Sequence, residues 1–232
     1  MSTTGNDTTT HTLAWSVLKA RGPETESFLQ GQLSQDLALV SGTGAWALIL
    51  EPDSVVMTSC FVQRREDGFD VIVPRELAEV AAKRLKRFLL RTKCTIEVEE
   101  VDDGPFATLD EQIRANWPGV REFALALTPH SFGRSFVAAT ISFQKGCFTG
   151  QELVGRLDAR GSSVPWRFVH VRGANSAIVD KYLKSKGPAG PQGVTSAWMT
   201  NGRLEGLGVA HRTLLGATSD QTDNDVSVEE VD

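Results

Sequence analysis

Several common features are missing from this 232-residue sequence. No apolar run approaches the roughly 18 residues that a membrane-spanning helix needs. The opening letters MSTTGNDTTT lack the basic start and apolar stretch of a secretory signal, and they lack the arginines of a transit peptide. The three cysteines include no Cys-x-x-Cys pair, which is typical of a reducing compartment. We therefore expect a soluble, cytoplasmic protein without disulfides.

Most catalytic signatures are also missing. There is no P-loop, no His-Glu-x-x-His, no Gly-x-Ser-x-Gly and no metal-type Cys/His spacing, so neither a metal site nor nucleotide-triphosphate chemistry is predicted. The stretch Gly42–Ala47 has the letters of a dinucleotide fingerprint, but it precedes a strand, whereas that fingerprint follows a strand and opens a helix. The four histidines are scattered, and we expect surface or satisfied structural roles for them.

Charge is unevenly distributed along the chain. The net charge is −5, but residues 217–232 carry six acids and no base. Without that stretch and Asp7, 22 acids face 24 bases, so the body of the chain is nearly neutral. We predict a disordered lead at 1–10 and an acidic disordered tail at 217–232.

The apolar patterns predict an α+β fold with antiparallel sheets and flanking helices. A helix is expected from about Glu24, with Phe28 and Leu29 pointing inward. Asp67-Gly68 is a strong hairpin signal. Further predictions are extended segments at 12–20, 45–50, 55–64, 69–73 and 95–101, and a helix at 106–115.

A second helix is predicted to open at Pro74. Its apolar face is expected to consist of Leu77, Val80, Ala81, Leu85, Phe88 and Leu89. The bases Lys83, Arg84, Lys86, Arg87 and Arg91 are expected on its other faces, either simply solvated or as a contact for RNA.

From Val164 onward, short extended pieces separated by glycine and proline predict a small β-rich domain. We predict one α+β domain at 11–163 and this second domain at 164–216.

The densest chemical signal is the octapeptide Lys145–Glu152, KGCFTGQE, which continues to Arg156. Gly146 and Gly150 bracket Cys147 and allow backbone conformations that other residues avoid, so the thiol can lie exposed on a loop. Lys145 would favour the thiolate if it folded over the sulfur. The alternative is that Cys147 is a packing residue, as we expect for Cys60 and Cys94.

The string KGCFTGQELVGR resembles the signature of the YgfZ family within the glycine-cleavage T-protein (aminomethyltransferase) superfamily. Weaker matches follow the family's order: residues 28–36 (FLQGQLSQD), 193–197 (GVTSA) and 206–212 (GLGVAHR). This resemblance implies α+β domains and a small C-terminal β-barrel-like domain around a central channel that holds tetrahydrofolate. It also makes Cys147 a functional residue.

For function, the resemblance implies a folate-binding protein that supports iron-sulfur cluster assembly or repair, and thereby tRNA-modifying enzymes. Folate or a derivative is the expected cofactor, and the expected partners are iron-sulfur client enzymes or cluster-assembly proteins, with tRNA at most weak or indirect and no membrane. A tetrahydrofolate-dependent aminomethyl transferase is an alternative. However, the Asn-Ala pair and following aspartate of T-proteins are absent where the chain reads Val71–Arg75. A direct tRNA-binding module is the second alternative.

The expected catalytic residues are Cys147 and Lys145. Glu152 or Asp36 would accept the pterin N–H edge, and Arg156, Arg160 or Arg114 would receive the glutamyl tail. The expected cofactor-binding residues are Gln30, Gln32, Asp36, Arg114, Gly146, Gly150, Gln151, Glu152 and Arg156. Gln30, Gln32 and Asp36 can equally be capping or packing residues around a turn.

Overall fold

The structure is a computed structural model that describes residues 11–159, 161, 164–185, 188–215 and 226–232. The predicted lead at 1–10, Arg160 and residues 217–225 of the predicted tail lie outside these ranges. Within them, no helix combines the length and the apolar character that crossing a bilayer requires.

The first sheet has five antiparallel strands in the order β2-β3-β4-β1-β5. The strands are β1 (Trp15–Arg21), β2 (Ala45–Leu50), β3 (Val56–Arg65), β4 (Gly68–Pro74) and β5 (Thr95–Val101). The predicted extended segments and the Asp67-Gly68 hairpin are confirmed, because Arg65 pairs with Gly68 across a tight turn. The end of β2, the end of β4 and the start of β1 lie at one end of this sheet, since Leu50 pairs with Val56 and Trp15 with Pro74.

The second sheet has four antiparallel strands in the order β7-β8-β6-β9. They are β6 (Trp166–Gly173), β7 (Gly193–Thr200), β8 (Arg203–His211) and β9 (Ser227–Glu230). The β-rich segment predicted from residue 164 onward is thereby confirmed.

Helices cover both sheets. They are α1 (Thr25–Gln30), α2 (Ala78–Lys86), α3 (Leu109–Arg114), α4 (Val120–Phe123), α5 (Arg134–Thr140), α6 (Gln151–Ala159), α7 (Ser176–Lys184) and α8 (Arg212–Leu215). One face of the first sheet packs against α1 and α2. Its other face shares a core with the second sheet, in which Leu48 and Leu50 are clustered with Phe168 and Val209.

The predicted inward face of α2 is wrong at two positions. Val80 is 53% exposed and Phe88 is 45% exposed. The buried face is set by Ala78, Ala81 and Leu85, whose small alanines let the helix approach the sheet closely. The helix ends at Lys86, so helical spacing no longer applies at Phe88.

The predicted disordered tail is wrong for its last residues. β9 pairs with β6, and the amide of Val231 donates to the carbonyl of Phe168 at 3.0 Å. Val226 and Val231 are buried, so the apolar residues between the acids anchor this strand.

Candidate functional site

The cysteine loop, Lys145–Gly150, lies against the turn that follows α1. The amide of Thr149 donates to the carbonyl of Gly31 at 3.1 Å. Just before the loop, the amide of Ser142 donates to the carbonyl of Ser34 at 3.0 Å. The two strongest sequence motifs, residues 28–36 and 145–156, are therefore neighbours in space.

Cys147 is an exposed free thiol, whereas Cys60 and Cys94 are buried free thiols. Burial raises the pKa of the Cys60 thiol, so that cysteine is protonated and inert. Phe148, the next residue after Cys147, is buried in the shared core. The loop thus buries the ring of Phe148 and exposes the sulfur of Cys147. The exposed Cys147 and the buried Cys60 and Cys94 agree with the prediction for each cysteine.

Lys145 anchors the loop from within. Its Nζ donates to the carbonyl oxygens of Gln30 (2.6 Å), Leu33 (2.6 Å) and Gln35 (3.0 Å), which uses all three protons of the ammonium group. Burial lowers the pKa of Lys145 to about 8, and the nearby carboxylate of Asp36 opposes the shift. Lys145 was expected to fold over the thiol if it were to favour the thiolate. Its ammonium group instead bonds to three backbone carbonyls of the turn after α1.

The two glycines of the loop differ. Gly150 has a φ of +81°, and a Cβ added there would lie 2.6 Å from the carbonyl oxygen of Glu51. Glycine is therefore required by both conformation and space. A Cβ on Gly146 would meet nothing within 4 Å.

The polar residues after α1 mainly organise their own turn. Gln30 accepts from the amide of Leu37 at 2.8 Å and donates to Asp36 at 2.9 Å. Asp36 also caps the 3₁₀ turn Leu37–Leu39 by accepting from the amide of Ala38. The geometry of these two side chains favours the capping alternative.

Arg84 was predicted on a solvated face but is only 3% exposed. Its Nη2 donates to the carbonyl of Leu50 at 3.0 Å, and its Nη1 donates to Oε1 of Gln32 at 3.2 Å. That same Oε1 atom accepts from the hydroxyl of Thr149 at 3.5 Å. Arg84 and Gln32 thus connect α2 to the cysteine loop. Nothing in the sequence indicated this role, because Arg84 is one of several bases in the same helix.

Residues that follow the loop open α6. Oε1 of Gln151 accepts from the amide of Phe148 at 3.1 Å and closes the loop. Glu152 and Arg156 form an exposed ion pair with each other at 3.1 Å. Arg114 lies elsewhere, at the end of α3, paired with Asp110 and over the ring of Trp198.

A cavity of about 280 Å³ opens where β1 begins and β4 ends. Its lining includes Trp15, Pro74, Glu76, Gln112, Arg121 and Ser196. The motif at 193–197 contributes Ser196, whose hydroxyl donates at 2.6 Å to the buried carboxylate of Glu122. This bond ties β7 to α4 and fixes one wall of the cavity.

Gln112 is only 6% exposed, and its side-chain amide makes no hydrogen bond to any described residue. Glu76, the second residue after β4, faces the same cavity without an ion-pair partner in the described ranges. An amide that has no protein partner and faces a cavity is available to bond to water or to a ligand. Sequence reasoning missed both residues, because neither lies in a recognisable motif.

The cavity and the cysteine loop lie at the same end of the first sheet. Gly150 approaches the end of β2, and the cavity opens at β4 and β1. Two to three strand spacings separate these strands, or about 10–15 Å. No group of three or more His, Cys, Asp and Glu side chains in the described ranges is arranged to hold a metal ion.

One histidine differs from expectation. His130 is 3% exposed, and neither ring nitrogen has a hydrogen-bond partner. Burial lowers the pKa of His130, Arg167 adds to the shift and Asp158 opposes it. His130 is therefore a buried neutral ring and not a satisfied one.

Comparison with known proteins gives two findings. A tRNA-modifying protein YgfZ from Edwardsiella ictaluri (strain 93-146) is 29% identical to this chain over 87 residues. The match covers 37% of this chain and 26% of that protein, so about a quarter of the relative's length is matched. No protein-family model matches the chain.

Among solved structures, the crystal structure of glycine cleavage system aminomethyltransferase T from Bartonella henselae has a TM-score of 0.53 to this chain at 13% sequence identity. The superposition covers 88% of this chain and 80% of that one. At this identity the likeness concerns the fold, which is the α+β fold that the sequence predicted. The fold is thus similar to that of the glycine-cleavage T-protein, and the predicted resemblance to YgfZ proteins is confirmed over the 87 matched residues.

Proposed function

We propose that this chain is a folate-binding protein that supports iron-sulfur cluster assembly or repair, with Cys147 as its reactive group. The observation that carries the proposal is the placement, at one end of the first sheet, of a ligand-sized cavity and an exposed thiol. The likeness to a YgfZ protein and to an aminomethyltransferase makes a folate the first ligand to consider.

The residues of the cavity fit a pterin ring. A pterin presents a paired N–H edge that a carboxylate accepts with both oxygens, and Glu76 offers such a carboxylate. Gln112 offers both an amide donor and an acceptor from a largely buried side chain. The pterin contact expected of Glu152 or Asp36 is therefore assigned to Glu76, because Asp36 caps its own turn and Glu152 forms an exposed ion pair with Arg156.

The volume of the cavity is close to the lower end of the range for ligand sites, roughly 300–1,000 Å³. It suits the pterin ring, while the glutamyl tail would extend toward solvent. Arg121 lines the cavity and donates one N–H to the carbonyl of Thr195, which leaves its other donors for an anion. When bound, tetrahydrofolate would supply one-carbon carrier chemistry. The chain's own part is to orient the pterin and exclude water from it.

The cysteine loop supplies a separate function. Its thiol is exposed while its backbone is fixed by Lys145 and by the bond between Thr149 and Gly31. A fixed, accessible thiol suits contact with a cluster, a persulfide or a partner protein.

Thermal melting tests the folate assignment. Tetrahydrofolate at 100 times its Kd should add about 2.7 kcal/mol to the free energy of unfolding. We expect the shift in the wild type and in Cys147→Ala, and its loss in Glu76→Gln and Gln112→Leu. Glu79→Gln, on the exposed side of α2, is the matched control. No shift in the wild type would remove the folate assignment.

Thiol titration tests the role of the loop. In the native protein we expect one cysteine to react with Ellman's reagent, and Cys147→Ser should remove that reaction. Cys60 and Cys94 should react only after unfolding. A native protein with no reactive thiol would contradict the proposal.

A tetrahydrofolate-dependent aminomethyl transferase is the second candidate. The observation that favours it is that Glu76 places a carboxylate shortly after β4, where T-proteins carry an aspartate after a strand end. One-carbon transfer that survives Cys147→Ala and disappears in Glu76→Gln would support this alternative.

A further inference from the structure

The residues Lys83–Lys93, here called the basic segment, include the last turns of α2 and the loop that leads to β5. The segment contains six bases and no acid. Five of these bases are exposed and have no ion-pair partner among the described residues. They are Lys83, Lys86, Arg87, Arg91 and Lys93.

This absence of partners is unusual for the molecule. Across the first sheet, Lys19 pairs with Glu99, and Arg21 and Arg65 both pair with Asp70. On the second sheet, Arg172 pairs with Glu205 and Glu229. In the described ranges most other bases lie beside acids, with Arg121 and Lys181 as exceptions, so the unpaired charge is concentrated in the basic segment.

Apolar side chains lie within the same segment. Leu90 is 86% exposed and Phe88 is 45% exposed. The guanidinium of Arg84 packs against the Phe88 ring, with its central carbon 4.6 Å from the ring centroid. An apolar centre with a charged rim is the composition of a protein-protein interface.

We propose that the basic segment is a docking surface for an acidic face of a partner protein, with Leu90 and Phe88 as the apolar anchors. The unpaired cations would meet carboxylates of the partner. Phe88 offers a ring on which a base could stack, but Leu90, the more exposed of the two anchors, offers a nucleic acid neither charge nor a ring and fits an apolar pocket of a protein. The nearly neutral body of the chain also contrasts with the strongly basic surface typical of RNA-binding proteins.

The docking surface lies close to the cysteine loop. Phe88 contacts Arg84, Arg84 donates to Gln32, and Gln32 accepts from Thr149, which is two residues after Cys147. A protein bound there would lie near the cysteine loop. That use of the site rests on the proposed function, whereas the docking itself does not.

The test measures binding of a fluorescent 20-residue amphipathic helical peptide with leucines on one face and glutamates on the other. We expect binding that weakens with added salt. The double variant Lys86→Glu/Arg87→Glu should weaken it by at least about tenfold, since each reversal replaces attraction by repulsion. Leu90→Ser should weaken it by about fivefold, the loss expected for a moderately important interface residue.

The matched control is Lys181→Glu/Lys184→Glu on α7, which makes the same change of charge and should leave binding unchanged. Cys147→Ala should also bind normally, so that a failure of the cysteine role and a failure of docking are distinguishable. Thermal melting of each variant checks that it is folded.

Two outcomes would overturn the proposal. One is a peptide that does not bind, or that binds the α7 variant as weakly as the basic-segment variant. The other is a single-stranded poly(U) 20-mer that binds more tightly than the peptide, with no loss in Leu90→Ser. That second result would identify the segment as a phosphate-binding surface.

Discussion

The cysteine loop and the basic segment are connected by Arg84, which belongs to the segment, and they use positive charge in opposite ways. In the loop, the ammonium of Lys145 is fully used by three backbone carbonyls. In the basic segment, five cations have no ion-pair partner within the described part of the chain. Arg84, which is buried, resembles the partly buried Lys145, since its guanidinium donates to oxygen atoms of Leu50 and Gln32.

The comparison teaches that position decides what a lysine or arginine contributes. A buried cation stabilises the backbone conformation around it, because unpaired carbonyls there would be costly. An exposed, unpaired cation contributes little to folding and remains available to another molecule. The two regions should therefore respond very differently to the loss of charge.

The largest effect is expected for Lys145→Met. Three partly buried carbonyls would lose charge-assisted donors, so the free energy of unfolding should fall by about 3 kcal/mol. Urea unfolding measures this change. Lys181→Met, at an exposed position on α7, should stay within about 0.5 kcal/mol of the wild type. Equal effects of the two substitutions would contradict the anchoring role.

The two glycines of the loop, Gly146 and Gly150, test whether the loop backbone is fixed. Gly150→Ala should lower the free energy of unfolding by about 2 kcal/mol, because a positive φ and a contact with the Glu51 carbonyl both oppose a Cβ. Gly146→Ala should change it by less than about 0.5 kcal/mol. Chemical denaturation of the pair checks this, and a tolerated Gly150→Ala would show that the loop can relax.

His130 extends the comparison to a buried group with no partner. Its pKa in the folded protein lies below the ordinary value of about 6.5, so below that pH the unfolded chain takes up a proton first. As the pH is lowered below 6.5, the free energy of unfolding should therefore decrease by up to about 1.4 kcal/mol per pH unit, until the pKa of the folded protein is reached. His130→Leu should remove this contribution when unfolding is measured from pH 7.5 to 5. Parallel curves for the two proteins would refute the assignment.

The smallest effect is expected in the basic segment. Lys86→Gln and Arg87→Gln should each change the free energy of unfolding by less than about 0.5 kcal/mol, because neither side chain has an ion-pair partner in the described ranges. Thermal or urea unfolding checks this. A loss of more than 1.5 kcal/mol would show that the segment is structural, and the contrast with the cysteine loop would disappear.

Local patterns predicted much of the first sheet. The hairpin at Asp67-Gly68 and the strands at 45–50 and 95–101 follow from alternation and turn chemistry, which depend on neighbouring residues. The inward side chains of α1 also follow from local spacing, since Phe28 and Leu29 are buried as expected.

Long-range contacts were the part that sequence reasoning did not reach. Nothing in the spacing shows that Lys145 bonds to residues more than a hundred positions earlier, or that Arg84 reaches the end of β2. Gln112 and Glu76 stand out only because the fold places a cavity beside them. The strand at 227–230 was missed because its acids outweigh its valines in composition, whereas pairing with β6 depends on the valines.

The order of the first sheet affects how the chain can fold during synthesis. β1 is made first, but it pairs with β4 and β5 and with neither β2 nor β3. The hairpins that join β2, β3 and β4 can form as soon as they leave the ribosome, because their partners are adjacent in sequence. β1, with its apolar Val17 and Leu18, must wait for strands made much later. The N-terminal strand is thus the part of the first sheet that depends longest on protection from aggregation in the cell.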